Sequence, residues 1–162
     1  LFETLISDST RLLGHDAAQT LEARGGLAWC LSEMGNLQAS RGLLEQLLSD
    51  QERVLGRESP HALNPRYQLA WCLSRAGATL EAIANFEQIL LDQIGALGAR
   101  APETLATRYD LAWCPRKLGN ISLTIEMLEP LLIDQVPVLG EAAPSSPLTK
   151  DLLQRTQSTR TI

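Results

Sequence analysis

Three cysteines, two histidines and three tryptophans hold most of the distinctive chemistry in this 162-residue chain. Cys30, Cys72 and Cys114 stand 42 residues apart, each directly behind a tryptophan in the tetrapeptide Leu-Ala-Trp-Cys. A thiol acts as nucleophile or ligand when a base, a cation or other metal ligands are placed beside it. Here no Cys-x-x-Cys, His-Glu-x-x-His or glycine-rich phosphate loop occurs, and His15 and His61 fall in segments that read as turns. The carboxylates are scattered at surface spacings, and none forms a pair set apart for acid–base work. The expectation is a chain without catalytic residues, cofactor or metal site, and hence not an enzyme. Each cysteine is expected as a small thiol buried at a crowded helix contact. Equivalent positions in stacked units lie too far apart for a disulfide, which needs Cα atoms within roughly 7 Å.

The elements that position these residues follow from the same period. Gly35, Gly77 and Gly119 keep the 42-residue register, as do Gly14, Gly56, Gly98 and Gly140, Asp8, Asp50, Asp92 and Asp134, and Pro60, Pro102 and Pro144. Self-similarity at this spacing marks a solenoid, whose units bury their apolar faces by stacking on one another. The units are 15–56, 57–98 and 99–140. Residues 1–14 align with 43–56, the second half of a preceding unit, so a piece of a larger protein is expected. Residues 141–162 form a degenerate, polar cap and tail.

Within the first unit, Thr20 is expected to cap a helix from Leu21 to Met34, with Leu27, Ala28 and Leu31 on its apolar stripe. Gly35-Asn36 ends it, and a second helix runs from Leu37 to about Leu55, burying Leu44, Leu47, Leu48, Val54 and Leu55. The second unit repeats this plan with Leu69, Ala70 and Leu73, then Ala82, Phe86, Ile89 and Leu90. In the third, Pro115 stands where the earlier units have Leu31 and Leu73, and Pro130 and Pro137 fall inside the second helix. Kinks and reduced local stability are expected there. Glu141 to Pro147 reads as a loop before a last helix carrying Leu148, Leu152 and Leu153, and the final residues are expected to be disordered. Arg24, Arg66 and Arg108, set against Asp50, Asp92 and Asp134, suggest ion pairs across helices.

The unit resembles a tetratricopeptide repeat. The family's Leu-Gly step corresponds to Leu69-Ala70, a glycine follows at the turn, and its Ala-x3-Phe signature appears as Ala82 to Phe86. HEAT and armadillo units have similar periods but do not predict this phase. The usual repeat is about 34 residues, and the excess here lengthens the second helix by about two turns. A long second helix ending in Val-Leu-Gly and a proline-containing turn is similar to the kinesin-light-chain type of repeat, which also occurs in bacterial multidomain arrays. The resemblance implies an all-α, right-handed superhelical solenoid of antiparallel helix pairs, used as a protein- or peptide-binding scaffold.

In that family the first helices line a concave groove. Carried over, the groove side presents Glu22, Gly25, Trp29, Ser32 and Glu33 from the first unit. The second offers Asn64, Tyr67, Trp71, Ser74 and Arg75, and the third Ala106, Tyr109, Trp113, Arg116 and Lys117. The candidate ligand groove is therefore Trp29, Tyr67, Trp71, Arg75, Tyr109, Trp113, Arg116 and Lys117. The tryptophans could pack between repeats, anchor a ligand, or do both, since Trp, Tyr and Arg dominate binding hot spots. Glu22 and Glu33 make the face acidic at one end, while Arg75, Arg116 and Lys117 make it basic further on, which suits a partner with an acidic segment. Arg53, on the extended second helix, is expected to face the convex side, and reversing its charge is expected to change ligand affinity little. The alternative is a structural module that docks within its own protein or self-associates, through an apolar edge of Phe2, Leu5 and Leu12.

The net charge of -5 and a pI near 5.0 argue against a nucleic-acid partner. No apolar run is long enough to span a membrane. Reduced cysteines without a secretory signal point to the cytoplasm.

Overall fold

The computed structural model describes residues 2–55, 62–139 and 145–160. They form α1 (Phe2–Leu13), α2 (Ala18–Glu33), α3 (Leu37–Leu55), α4 (Leu63–Arg75), α5 (Thr79–Leu97), α6 (Pro102–Lys117), α7 (Ile121–Leu139) and α8 (Ser145–Arg160). Two compact units divide the chain, Leu1–Ala78 and Thr79–Ile162. In the first, α2 packs on α1 and α3, α3 packs on α4, and α2 also meets α4. In the second, α6 packs on α5 and α7, α7 packs on α8, and α6 meets α8. The long second helix expected of each repeat is present, since α3, α5 and α7 each have 19 residues.

Tight closure within each hairpin comes from one residue in the left-handed region. Gly35 has φ 81° and Gly119 φ 78°, a conformation that penalises any residue with a Cβ. The chain then turns back, and the next amide satisfies a helix-end carbonyl. Asn36 N–H donates to Leu31 O at 2.8 Å, and Asn120 N–H donates to Pro115 O at 2.8 Å. Asn120 also opens α7, its Oδ1 accepting from the Leu123 amide at 3.1 Å. Gly56 and Gly140, with Pro60, His61 and Pro144, lie outside the described residues.

The core obeys the repeat. Ala28, Ala70 and Ala112 are fully buried, as are Leu47, Ile89 and Leu131, and at the signature position Leu44, Phe86 and Leu128. Alanine at the first position leaves room for a neighbouring helix, and the larger residues fill the space beside it. Several expected core residues sit differently. Leu27, Leu31 and Leu69 are only half-buried, and Val54 is exposed. The buried path along α3 runs Leu44, Leu47, Gln51 at steps of three and four residues; Val54 continues that phase but is exposed in the last turn of the helix. Gln93 and Gln135 repeat Gln51 at the 42-residue spacing, and Gln135 Oε1 accepts the Thr149 hydroxyl at 2.7 Å.

Thr20 is not a helix cap. The helix starts at Ala18, with Ala17 in the cap position and no side-chain cap. Thr20 is buried instead and donates its hydroxyl to Gly14 O at 2.9 Å, an arrangement that Thr104 repeats on Gly98 O. The segment read as a loop up to Pro147 is helical from Ser145, since proline is tolerated in a first turn that has no earlier carbonyl to meet. That helix continues to Arg160, and the chain end expected to be disordered lies, in its last two residues, outside the described ones. Thr149, Leu152 and Thr156 form its buried face, and Leu153 is half-buried at the margin. The three internal prolines do not interrupt their helices. Pro115 is buried in the last turn of α6, where its carbonyl still closes the turn, and Pro130 and Pro137 lie on the exposed side of α7.

Candidate protein-interaction face

The tryptophans occupy equivalent points on the first helices because the repeat carries them there. In the first unit, Trp29 of α2 and Trp71 of α4 meet with ring centroids 5.0 Å apart and planes tilted by 31°. That separation lies within the favourable range for offset aromatic pairs. Trp29 nevertheless remains 39% exposed, and Trp71 is half-buried. One turn further along the same helices are Glu33 and Arg75, since i and i+4 share a face. The Arg75 guanidinium lies 4.5 Å above the centre of the Trp71 ring, a cation–π geometry. Its Nη1 donates to the Ser32 carbonyl at 3.0 Å and to Glu33 Oε1 at 3.3 Å. The result is a continuous stack from Trp29 through Trp71 to Arg75, with Glu33 at its rim.

In the second unit, Trp113 is half-buried against the core of Leu105, Ala112, Leu128, Leu131 and Leu152. Arg116 lies 5.2 Å above its ring, and the buried Nε of Arg116 has no hydrogen-bond partner among the described residues. Tyr109 packs against the same core. Burial pushes its hydroxyl above the usual tyrosine range, with the charges of Asp110 and Asp151 adding to the effect. Lys117 is exposed and Tyr67 half-buried. Of the other positions assigned to this side by analogy, Gly25, Ser32 and Ser74 are buried. They sit inside the contacts of α2 and α4, and a ligand cannot reach them.

Two expected ion pairs across helices are present. Arg24 bonds Asp50 at 2.7 Å, and Arg108 bonds Asp134 at 2.7 Å. Arg100 adds a second contact to Asp134 at 3.0 Å. The Arg108 hydrogen bond, seconded by its charge and by Arg100, outweighs burial and holds the Asp134 carboxyl below the ordinary range. Arg53 reaches Asp16 at 2.7 Å. That hydrogen bond, with a second from His15, lowers the Asp16 pKa. His15, Asp16 and Asp50 also offer ligand atoms within 4.8 Å of one another. Both carboxylates are bonded to guanidinium groups, Asp50 to Arg24 and Asp16 to Arg53, so the cluster forms an ion-pair network.

Sequence reasoning missed the Glu33–Arg75 pair and the Arg53–Asp16 contact. The first had a readable signal: residues 33 and 75 are equivalent positions of opposite charge in successive 42-residue repeats.

A sequence model of the tetratricopeptide repeat matches residues 33–90. No curated protein sequence matches the chain. Among solved structures, a Podosopora anserina protein described as a kinesin light chain, with nearly identical TPR-like repeats, aligns at TM-score 0.79 and 25% identity. The alignment covers 99% of this chain and 76% of that one. The repeat matched over residues 33–90 is of tetratricopeptide type, and the array as a whole is similar to those of kinesin light chains. A second structure, BtubC from P. vanneervenii, aligns at TM-score 0.79 and 16% identity over 98% of this chain and 64% of its own, a likeness of fold alone. The fold class is thus the all-α tetratricopeptide solenoid, of a kind that generally serves protein–protein interaction. No described helix is long and apolar enough to cross a membrane.

Proposed function

We propose that this tetratricopeptide array is a binding scaffold for a protein or peptide segment, anchored in the first unit on the Trp29–Trp71 stack. The supporting observation is that the two indoles hold each other while Trp29 stays 39% exposed beside a charged pair. Rigid aromatic surface of this kind is offered to a ligand at low entropic loss, and an extended or amphipathic segment could lie along it. Tyr67 and Arg75 belong to the same face. Trp113 and Arg116, with Tyr109 and Lys117, provide a comparable pairing of indole and cation in the second unit, suited to an acidic residue of the partner.

The test is a pulldown with the intact chain, followed by calorimetry on the partner recovered. Trp71→Ala should weaken that partner by about 2 kcal/mol or more, the hot-spot scale. Unchanged affinity in a folded Trp71→Ala protein would remove the aromatic face from the reading. A second reading, self-association, is favoured by the exposed Leu5 and Leu12 of α1. A molecular mass by light scattering that rises with concentration, and stops rising in Leu5→Ser/Leu12→Ser, would support it.

A further inference from the structure

Arg75 has two acceptors of different kinds. The Ser32 carbonyl is backbone of a packed helix and cannot leave, whereas the Glu33 side chain is half exposed and can swing away. The indole of Trp71 beneath the guanidinium and the Ser32 carbonyl beside it hold Arg75 in place without Glu33. Only the neutralisation of its charge depends on the movable carboxylate. We propose that Glu33 is a built-in competitor: it occupies the place at Arg75 that an acidic residue of a partner takes, and binding exchanges one carboxylate for the other. This rests on the reading that the aromatic face binds a protein segment, and adds to it what regulates that face.

The exchange has a defined consequence. An acidic segment gains only the difference between its own contact and that of Glu33, so weakly placed carboxylates are rejected. A segment that places a carboxylate on Arg75 and an apolar side chain on Trp29 passes this threshold. Neutral segments do not meet it. Removing the competitor should shift affinity for an acidic chain by about two- to five-fold, the range of an exposed ion pair.

Poly-L-glutamate is the probe, titrated at low salt into the intact chain and followed through the indole N–H signals. Glu33→Gln should tighten binding about two- to five-fold. Arg75→Gln should weaken it, and in an Arg75→Gln background Glu33→Gln should give no further gain. Glu87→Gln makes the same change of charge on an exposed residue of α5, away from the groove side, and should leave affinity near that of the parent. Equal tightening by Glu87→Gln and Glu33→Gln would reduce the effect to net charge and overturn the proposal. So would a gain that survives without Arg75, or the absence of binding in every variant. The scaffold reading fails separately, through Trp71→Ala and the recovered partner. If Trp71→Ala abolishes that partner while Glu33→Gln changes nothing, only the competitor falls.

Discussion

Individual residues in this protein take their roles from where a helix face turns, and two of them make this measurable. Phe86 and Leu69 both read as core in the sequence, yet Phe86 is fully buried and Leu69 only half-buried. Phe86→Ala should therefore destabilise the fold by about 3–5 kcal/mol through lost burial and the cavity left behind. Leu69→Ala should do distinctly less, and chemical denaturation of the two variants checks the order. Asp134 gives the second test. Its folded pKa lies below the ordinary value near 3.9. Its contribution is therefore present in full above that value and is lost as pH falls through the lower folded one. Asp134→Asn should lower the melting temperature at pH 7 and converge with the parent at the acid end of the range. A difference that persists unchanged into acid would show that Arg108 and Arg100 are not its cause.

At the scale of the element, helices and turns were largely legible, because helix ends depend on local signals. The glycines at 35, 77 and 119 adopt the left-handed conformation that ends the first helix of each pair. The second helix from Leu37 to Leu55 has the bounds its pattern implied. Prolines were harder to judge, since their effect depends on which side of a helix they occupy. Pro130 and Pro137 face outward on α7, where water can satisfy a freed carbonyl, whereas Pro115 is buried in the last turn of α6. Leucine occupies the equivalent position in the two earlier repeats. Pro115→Leu should restore a helical hydrogen bond and a core contact, and so raise the melting temperature. A lower melting temperature would mean that the surrounding packing of Cys114, Leu111 and Ala112 is fitted to proline.

For the whole molecule, the 42-residue register sufficed to place a tetratricopeptide-type array, because each repeat meets its neighbours through the same few positions. Alanine at 28, 70 and 112, and the large apolar residues at 44, 86 and 128, recur in the sequence and are buried in the structure. The arginine–aspartate pairs at 24 and 50, and at 108 and 134, were also suggested by the sequence, since opposite charges recur there at one spacing, and both pairs form. What tertiary structure alone decided was which side chains spend their chemistry inside the molecule. Trp29 and Trp71 lie 42 residues apart, and only the packing of α2 beside α4 brings their rings to 5.0 Å. The same packing turns Glu33 from one end of a charge gradient into the partner of Arg75, and the packing of α3 on α2 commits Arg53 to Asp16. Periodicity specifies equivalent positions along a helix. Contact between side chains depends also on the distance and rotation between helices, which the side chains at their crossings set together.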